Sequence, residues 1–232
     1  MRVVFLCSGN GGNLKFVAHA IRMGWLADAK ICTVLSDREC AANVFARAQG
    51  LPTDVLDFSR TGQLALVDRL HALAADVVVT TVHKILVPEV VRAFDGKLLN
   101  LHYSLLPAFA ATIGAEPVRL ALDYGAKFVG VTVHLVDEGV DSGRPILQAA
   151  AATPGAAAHT TAAAALEAMM TVLFRSGCVG LHHALTMFSG GATSGREAPR
   201  TSATLGGHLV HFNPAVTIPH GLEEEPGWAF LK

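Results

Sequence analysis

Two apolar patterns alternate along residues 2–152. Continuous apolar runs, ArgValValPheLeuCys at 2–7 and AspValValValThrThr at 76–81, have the make-up of strands buried on both faces. LysIleCysThrValLeu at 30–35 and a short segment Thr53–Leu56 read as two further strands. Between them lie stretches with helical spacing: about Asn13–Met23, residues 39–49 stopping at Gly50, and about Gly62–Ala74. This alternation predicts an α/β fold, an open, mostly parallel, Rossmann-like sheet with flanking helices and right-handed crossovers. Ligands then bind in a crevice at the carboxyl ends of the strands.

Further along, Pro88 opens a helix reaching Phe94, and LeuLeuAsnLeuHis at 98–102 is a strand. A helix opens at Glu116-Pro117 and ends near Tyr124-Gly125. The strand after it alternates so that Thr132, His134 and Val136 share a face, and ProIleLeuGlnAlaAlaAla closes the sheet. A long helix capped by Thr160 or Thr161 runs to about Arg175 and resumes after Gly177 and Gly180 towards Met187. The expected organisation is an α/β domain over 1–188, a flexible connector over 189–206, and a C-terminal extension over 207–232. The extension carries LeuValHisPhe, the acidic triplet Glu223–Glu225 and Trp228. It is too apolar for a disordered tail, so it should fold back on the domain, beside a ligand site or against a second copy in a homodimer.

Composition narrows the function. Of the 232 residues 51% are hydrophobic and 16% charged, enough for a substantial core. A net charge of −1 gives no reason to expect a nucleic-acid surface, and no uninterrupted apolar run reaches the ~18 residues of a membrane span. The N-terminus runs straight from strand to Gly loop without a signal-peptide pattern, and the four cysteines form no C-x-x-C pair. A cytoplasmic setting is expected. Neither the adjacent His182-His183 nor His208 with His211 has the convergence of a metal site.

The candidate chemistry lies between Leu98 and Gln148. Strand alternation projects Asn100 and His102 from one face, and a later Gly-rich loop brings Asp141. Amide, imidazole and carboxylate make a unit for acyl transfer: the amide holds an oxyanion, the imidazole moves protons, the carboxylate orients the imidazole. The same residues also read as a strand end, a turn and a loop. SerGlyAsnGlyGlyAsn at 8–13, between strand and helix, can cradle an anion on backbone N–H groups or be a tight turn without ligand. As a dinucleotide fingerprint it fails, because Leu14 stands at the third glycine's place.

AsnLeuHisTyrSerLeuLeuProAlaPhe at 100–109, followed by H-x-V-D-x-G-x-D-x-G from His134, resembles the folate-dependent formyltransferases, nearest to their phosphoribosylglycinamide formyltransferase branch. The resemblance runs from Met1 to about Gln148 and implies the formyltransferase fold. It implies transfer of a formyl group from 10-formyltetrahydrofolate to an amine of a small acceptor, glycinamide ribonucleotide or another amine. It gives catalytic roles to Asn100, His102 and Asp141. Ile85, Leu86, Leu98 and Val136 become walls of the folate site, with His134 beside them, although core packing would use the same residue types. The loop Gly11, Gly12 and Asn13 becomes the seat of the acceptor's phosphate. The chain departs from the pattern at Gly12, where Ser is usual, and at Ala110-Ala111, where Pro-Gly is common. It departs again at Met170, where an acidic contact is frequent unless Glu167 takes that part. The wording after His102 also resembles formyltetrahydrofolate hydrolase, so hydrolysis is one alternative and a non-catalytic folate- or nucleotide-binding paralogue another. Methionyl-tRNA formylation is disfavoured, since no basic stretch is present to hold tRNA.

Overall fold

The computed structural model describes residues 1–154, 161–190, 197–224 and 228. The expected alternation is realised. Strands β1 (Arg2–Cys7), β2 (Lys30–Ser36), β3 (Thr53–Val55), β4 (Val77–Thr81) and β5 (Leu98–His102) are parallel and interleave with helices α1 (Gly12–Arg22), α2 (Ala41–Ala48), α3 (Gly62–Ala72) and α4 (Pro88–Ala93). Helix α5 (Glu116–Tyr124), strands β6 (Phe128–Leu135) and β7 (Pro145–Ala152), helix α6 (Ala162–Phe188) and strands β8 (Arg200–Leu205) and β9 (His208–Val216) follow. The sheet order is β3-β2-β1-β4-β5-β6-β7-β9-β8, antiparallel from β6 onward.

The pleat sorts side chains into two cores. Val3, Phe5, Cys7, Val77, Val79 and Leu99 meet α1, α5 and α6, whereas Val4, Leu6, Val78 and Leu98 meet α3 and α4. Each fully buried Val, Leu or Phe contributes about 1.5–3 kcal/mol of transfer free energy.

Several expectations need correction. The strand at 145–152 does not close the sheet, since β9 pairs with its outer edge from Gln148 to Ala151 and β8 pairs with β9. Residues Arg200–Leu205, assigned to the connector, are therefore strand, and the extension is continuous with the sheet. The centre of that connector, 191–196, and Glu225 lie outside the described residues. Helix α6 is unbroken. A Cβ on Gly177 would lie 2.7 Å from Leu101, and one on Gly180 2.9 Å from Leu147, so the two glycines let the helix lie close on the sheet. That contact offsets the ~1 kcal/mol each glycine costs in a helix interior. By length and average composition α6 could cross a membrane, but residues such as Met169, Val172, Leu173 and Cys178 are buried against the sheet. Thr161 is its N-cap, with Oγ1 accepting from Ala164 N at 3.1 Å.

Candidate active site

Past the ends of the parallel strands, and bounded by the loops after β4, β5 and β6, lies a cavity of ≈ 370 Å³. Strand β5 leaves the sheet there. Thr132 Oγ1 anchors the turn that follows, donating to Ser104 O at 2.7 Å and accepting from Leu106 N at 3.1 Å. The chain then folds back over His102 with Phe109 at φ 56° and Ala111 at φ 61°.

His102 is buried between two oxygens. Its Nδ1 lies 3.3 Å from Asp141 Oδ2 and its Nε2 3.0 Å from Phe109 O. Neutral imidazole can donate to only one of them, and the protonated ring satisfies both. Asp141 reaches inward because its own backbone is left-handed, at φ 53°, and its Oδ2 also accepts from Ala111 N at 2.9 Å. The turn leading to it is shaped by Asp137, whose Oδ1 accepts from Gly139 N and Ser142 Oγ at 3.1 and 2.8 Å. Asn100 lies two residues before His102 on the same face, half-buried and lining the cavity, and its side chain makes no hydrogen bond among the described residues.

His134 is opposite Asn100 in the ladder and almost fully buried. Its Nδ1 donates to Leu135 O at 2.8 Å, and its Nε2 stands 3.8 Å from Asp141 Oδ1, too far for a hydrogen bond. Burial pushes its pKa down, which keeps the ring neutral. A neutral imidazole edge beside Asp141 leaves that carboxylate's charge directed towards His102.

Eight of the 22 residues lining the cavity were expected from the sequence. Ile85, Leu86, His134 and Val136 line the cavity together with Asn100, His102 and Asp141. Leu98 does not: it is fully buried with Val4, Val78 and Val90 beneath the site, an inward strand residue whose type suits a pocket and a core equally. Of the anion loop only Asn13 lines the cavity. A Cβ on Gly12 would lie 2.7 Å from the Phe174 ring, so the missing Ser has a packing cause: an aromatic side chain of α6 rests there. Met170 is half-buried against the core and Glu167 is exposed, and neither lines the cavity. Sequence reasoning missed Thr80, His83, Lys84, Tyr103 and Ile113 as lining residues. Tyr103 could have been found from its place beside His102; Ile113 carried no signal. No cluster of His, Cys, Asp and Glu suited to a metal occurs among the described residues.

Comparison with known proteins gives the chemistry a context. The family model described as formyl transferase matches residues 1–171, ending inside α6. Over 155 residues the chain is 37% identical to a phosphoribosylglycinamide formyltransferase of Haemophilus influenzae, covering 64% of this chain and 71% of that protein. The crystal structure of glycinamide ribonucleotide transformylase 1 from Symbiobacterium toebii is similar at a TM-score of 0.69 and 31% identity, over 81% of this chain and 88% of that one. A formyltetrahydrofolate deformylase from Pseudomonas syringae pv. tomato shares the fold at a TM-score of 0.68 and 24% identity, covering 80% of this chain and 61% of its own.

Proposed function

The chain belongs to the formyl transferase family, and from that premise we propose that its acceptor is glycinamide ribonucleotide and that Asn100, His102 and Asp141 carry the reaction. It is a folate-dependent N-formyltransferase with 10-formyltetrahydrofolate as the formyl donor. The supporting observation is the approach of the Asp141 carboxylate to the His102 ring, 3.3 Å from Oδ2 to Nδ1, with the Asn100 amide unengaged in the same cavity.

The neutral acceptor amine attacks the formyl carbon. A new C–N bond forms as the carbonyl π electrons move onto oxygen. The side-chain N–H of Asn100 donates to that oxyanion, a contact of a kind that lowers a barrier by on the order of 3 kcal/mol. With Nδ1 donating to Asp141, Nε2 takes the amine's proton and passes it, directly or through water, to the folate nitrogen; the Phe109 carbonyl 3.0 Å from Nε2 yields that place to the amine or the water during transfer. The bond from that nitrogen to the formyl carbon then breaks, releasing tetrahydrofolate and the formylated amine. Asp141 supports the imidazolium while it exists. Ile85, Leu86 and Val136 supply the apolar wall for the folate, and backbone groups around Gly11, Gly12 and Asn13 receive the acceptor's phosphate. The reading includes a cytoplasmic location and small-molecule partners, with neither nucleic acid nor membrane among them.

The test is formyl transfer from 10-formyltetrahydrofolate to a panel of amines headed by glycinamide ribonucleotide. Formylglycinamide ribonucleotide and tetrahydrofolate should appear in equal amounts, with the highest kcat/KM of the panel. A higher kcat/KM for another amine would overturn the acceptor. Formate released at full rate without amine would overturn transfer in favour of hydrolysis.

A further inference from the structure

Tyr103 follows His102, the last residue of β5, and its ring packs with Leu99 and Leu101 on the side opposite His102. That face belongs to α6: Leu99 is part of its core and Leu101 meets Gly177. The Tyr103 ring packs against the same core and lines the cavity, yet its hydroxyl makes no hydrogen bond among the described residues. Burial pushes its pKa up, so the phenol stays protonated. Asn13, on the first turn of α1, lines the same cavity, and its Oδ1 is a buried polar atom without a hydrogen-bond partner among the described residues. Tyrosine hydroxyls enclosed by protein ordinarily have a partner. A cavity-lining tyrosine without a protein partner can take one from a ligand.

We propose that Tyr103 is an acceptor-binding residue whose phenolic hydroxyl hydrogen-bonds a neutral amide or hydroxyl group of the acceptor, beside the Gly11–Asn13 loop. The assignment rests on the reading that this loop seats the acceptor.

Tyr103→Phe removes the oxygen and keeps the ring. With glycinamide ribonucleotide as acceptor, KM for that amine should rise about fivefold to tenfold, the loss of one uncharged hydrogen bond. The turnover number, the folate KM and Tm should stay close to their original values. Asn13→Ala, run in parallel, reports on the loop. An unchanged acceptor KM in Tyr103→Phe alongside a raised one in Asn13→Ala would overturn the Tyr103 contact and leave the loop in place. Unchanged acceptor KM in both would overturn the loop reading together with the contact. A raised folate KM in Tyr103→Phe would put the hydroxyl on the donor side and equally overturn the proposal.

Discussion

The two faces of β5 hold their side chains in different ways. On the face of Asn100 and His102, polar atoms fix one another around an Asn100 amide left open to the reacting carbonyl: Asp141 is held by the Ala111 N–H, His102 stands between Asp141 and Phe109, and His134 is tied to its own strand. On the face of Tyr103 the contacts are those of packing, with Phe174 against Gly12 and Leu101 against Gly177, while Tyr103 and Asn13 keep unpartnered oxygens. The first face is organised before any ligand arrives, so its ordering cost falls on folding. The second leaves its polar groups for a ligand to satisfy. An arrangement of this kind lets the acceptor change in evolution without disturbing the transfer chemistry.

The strongest test of this contrast is to cut the polar face. His102→Ala and Asp141→Asn should each lower kcat by about 10²–10⁴-fold, the span of general acid–base contributions. Folate affinity measured by calorimetry should be nearly unchanged. Wild-type turnover in either variant would remove the distinction between the faces. A smaller effect is expected from crowding the packed face. Gly12→Ser pushes against Phe174 and should cost about 1–3 kcal/mol in urea unfolding, as overpacking does. Adding Phe174→Leu should return about 1 kcal/mol or more, a non-additivity that contact between the two positions requires. Strict additivity would mean that the ring does not govern Gly12. The smallest effect concerns the loop over His102. Ala111 holds φ 61°, where a Cβ costs about 1–2 kcal/mol. Ala111→Gly removes that strain but enlarges the unfolded ensemble by roughly 0.4–1 kcal/mol. A net gain of about 0–1.6 kcal/mol should therefore appear in thermal melts, with kcat unaffected.

The parallel half of the fold was legible because its signals are local. Strands such as Val3–Cys7 and Val77–Thr81 are apolar throughout, and Gly50 and Pro88 mark helix ends at the residues themselves. The hairpin β8–β9 was half legible. LeuValHisPhe has the make-up of a strand, but ArgThrSerAlaThrLeu is an edge strand stabilised mainly by its neighbour and has too little apolar alternation to stand out. The glycines of α6 read as breaks because the surface they approach, Leu101 and Leu147, lies far away in sequence. Asn100 and His102 could be paired from strand alternation, whereas the inward turn of Asp141 depends on a left-handed backbone that aspartate tolerates better than most residues but does not by itself announce. Leu98 shows the remaining limit, because depth within a strand, and not residue type, separates a wall from a core.

The hairpin also bears on how the chain avoids sticking to its neighbours. The outer margin of β7 from Ala149 to Ala152 is an uncharged alanine ribbon whose sideways backbone groups would recruit any passing strand. β9 caps that ribbon, and the exposed rim passes to β8, where Arg200 is paired with Glu223. Synthesis runs from the N-terminus, so the ribbon emerges from the ribosome well before its hem. In that interval another nascent chain can compete for the same ladder, which makes β9 the strand that shields the ribbon once it is translated.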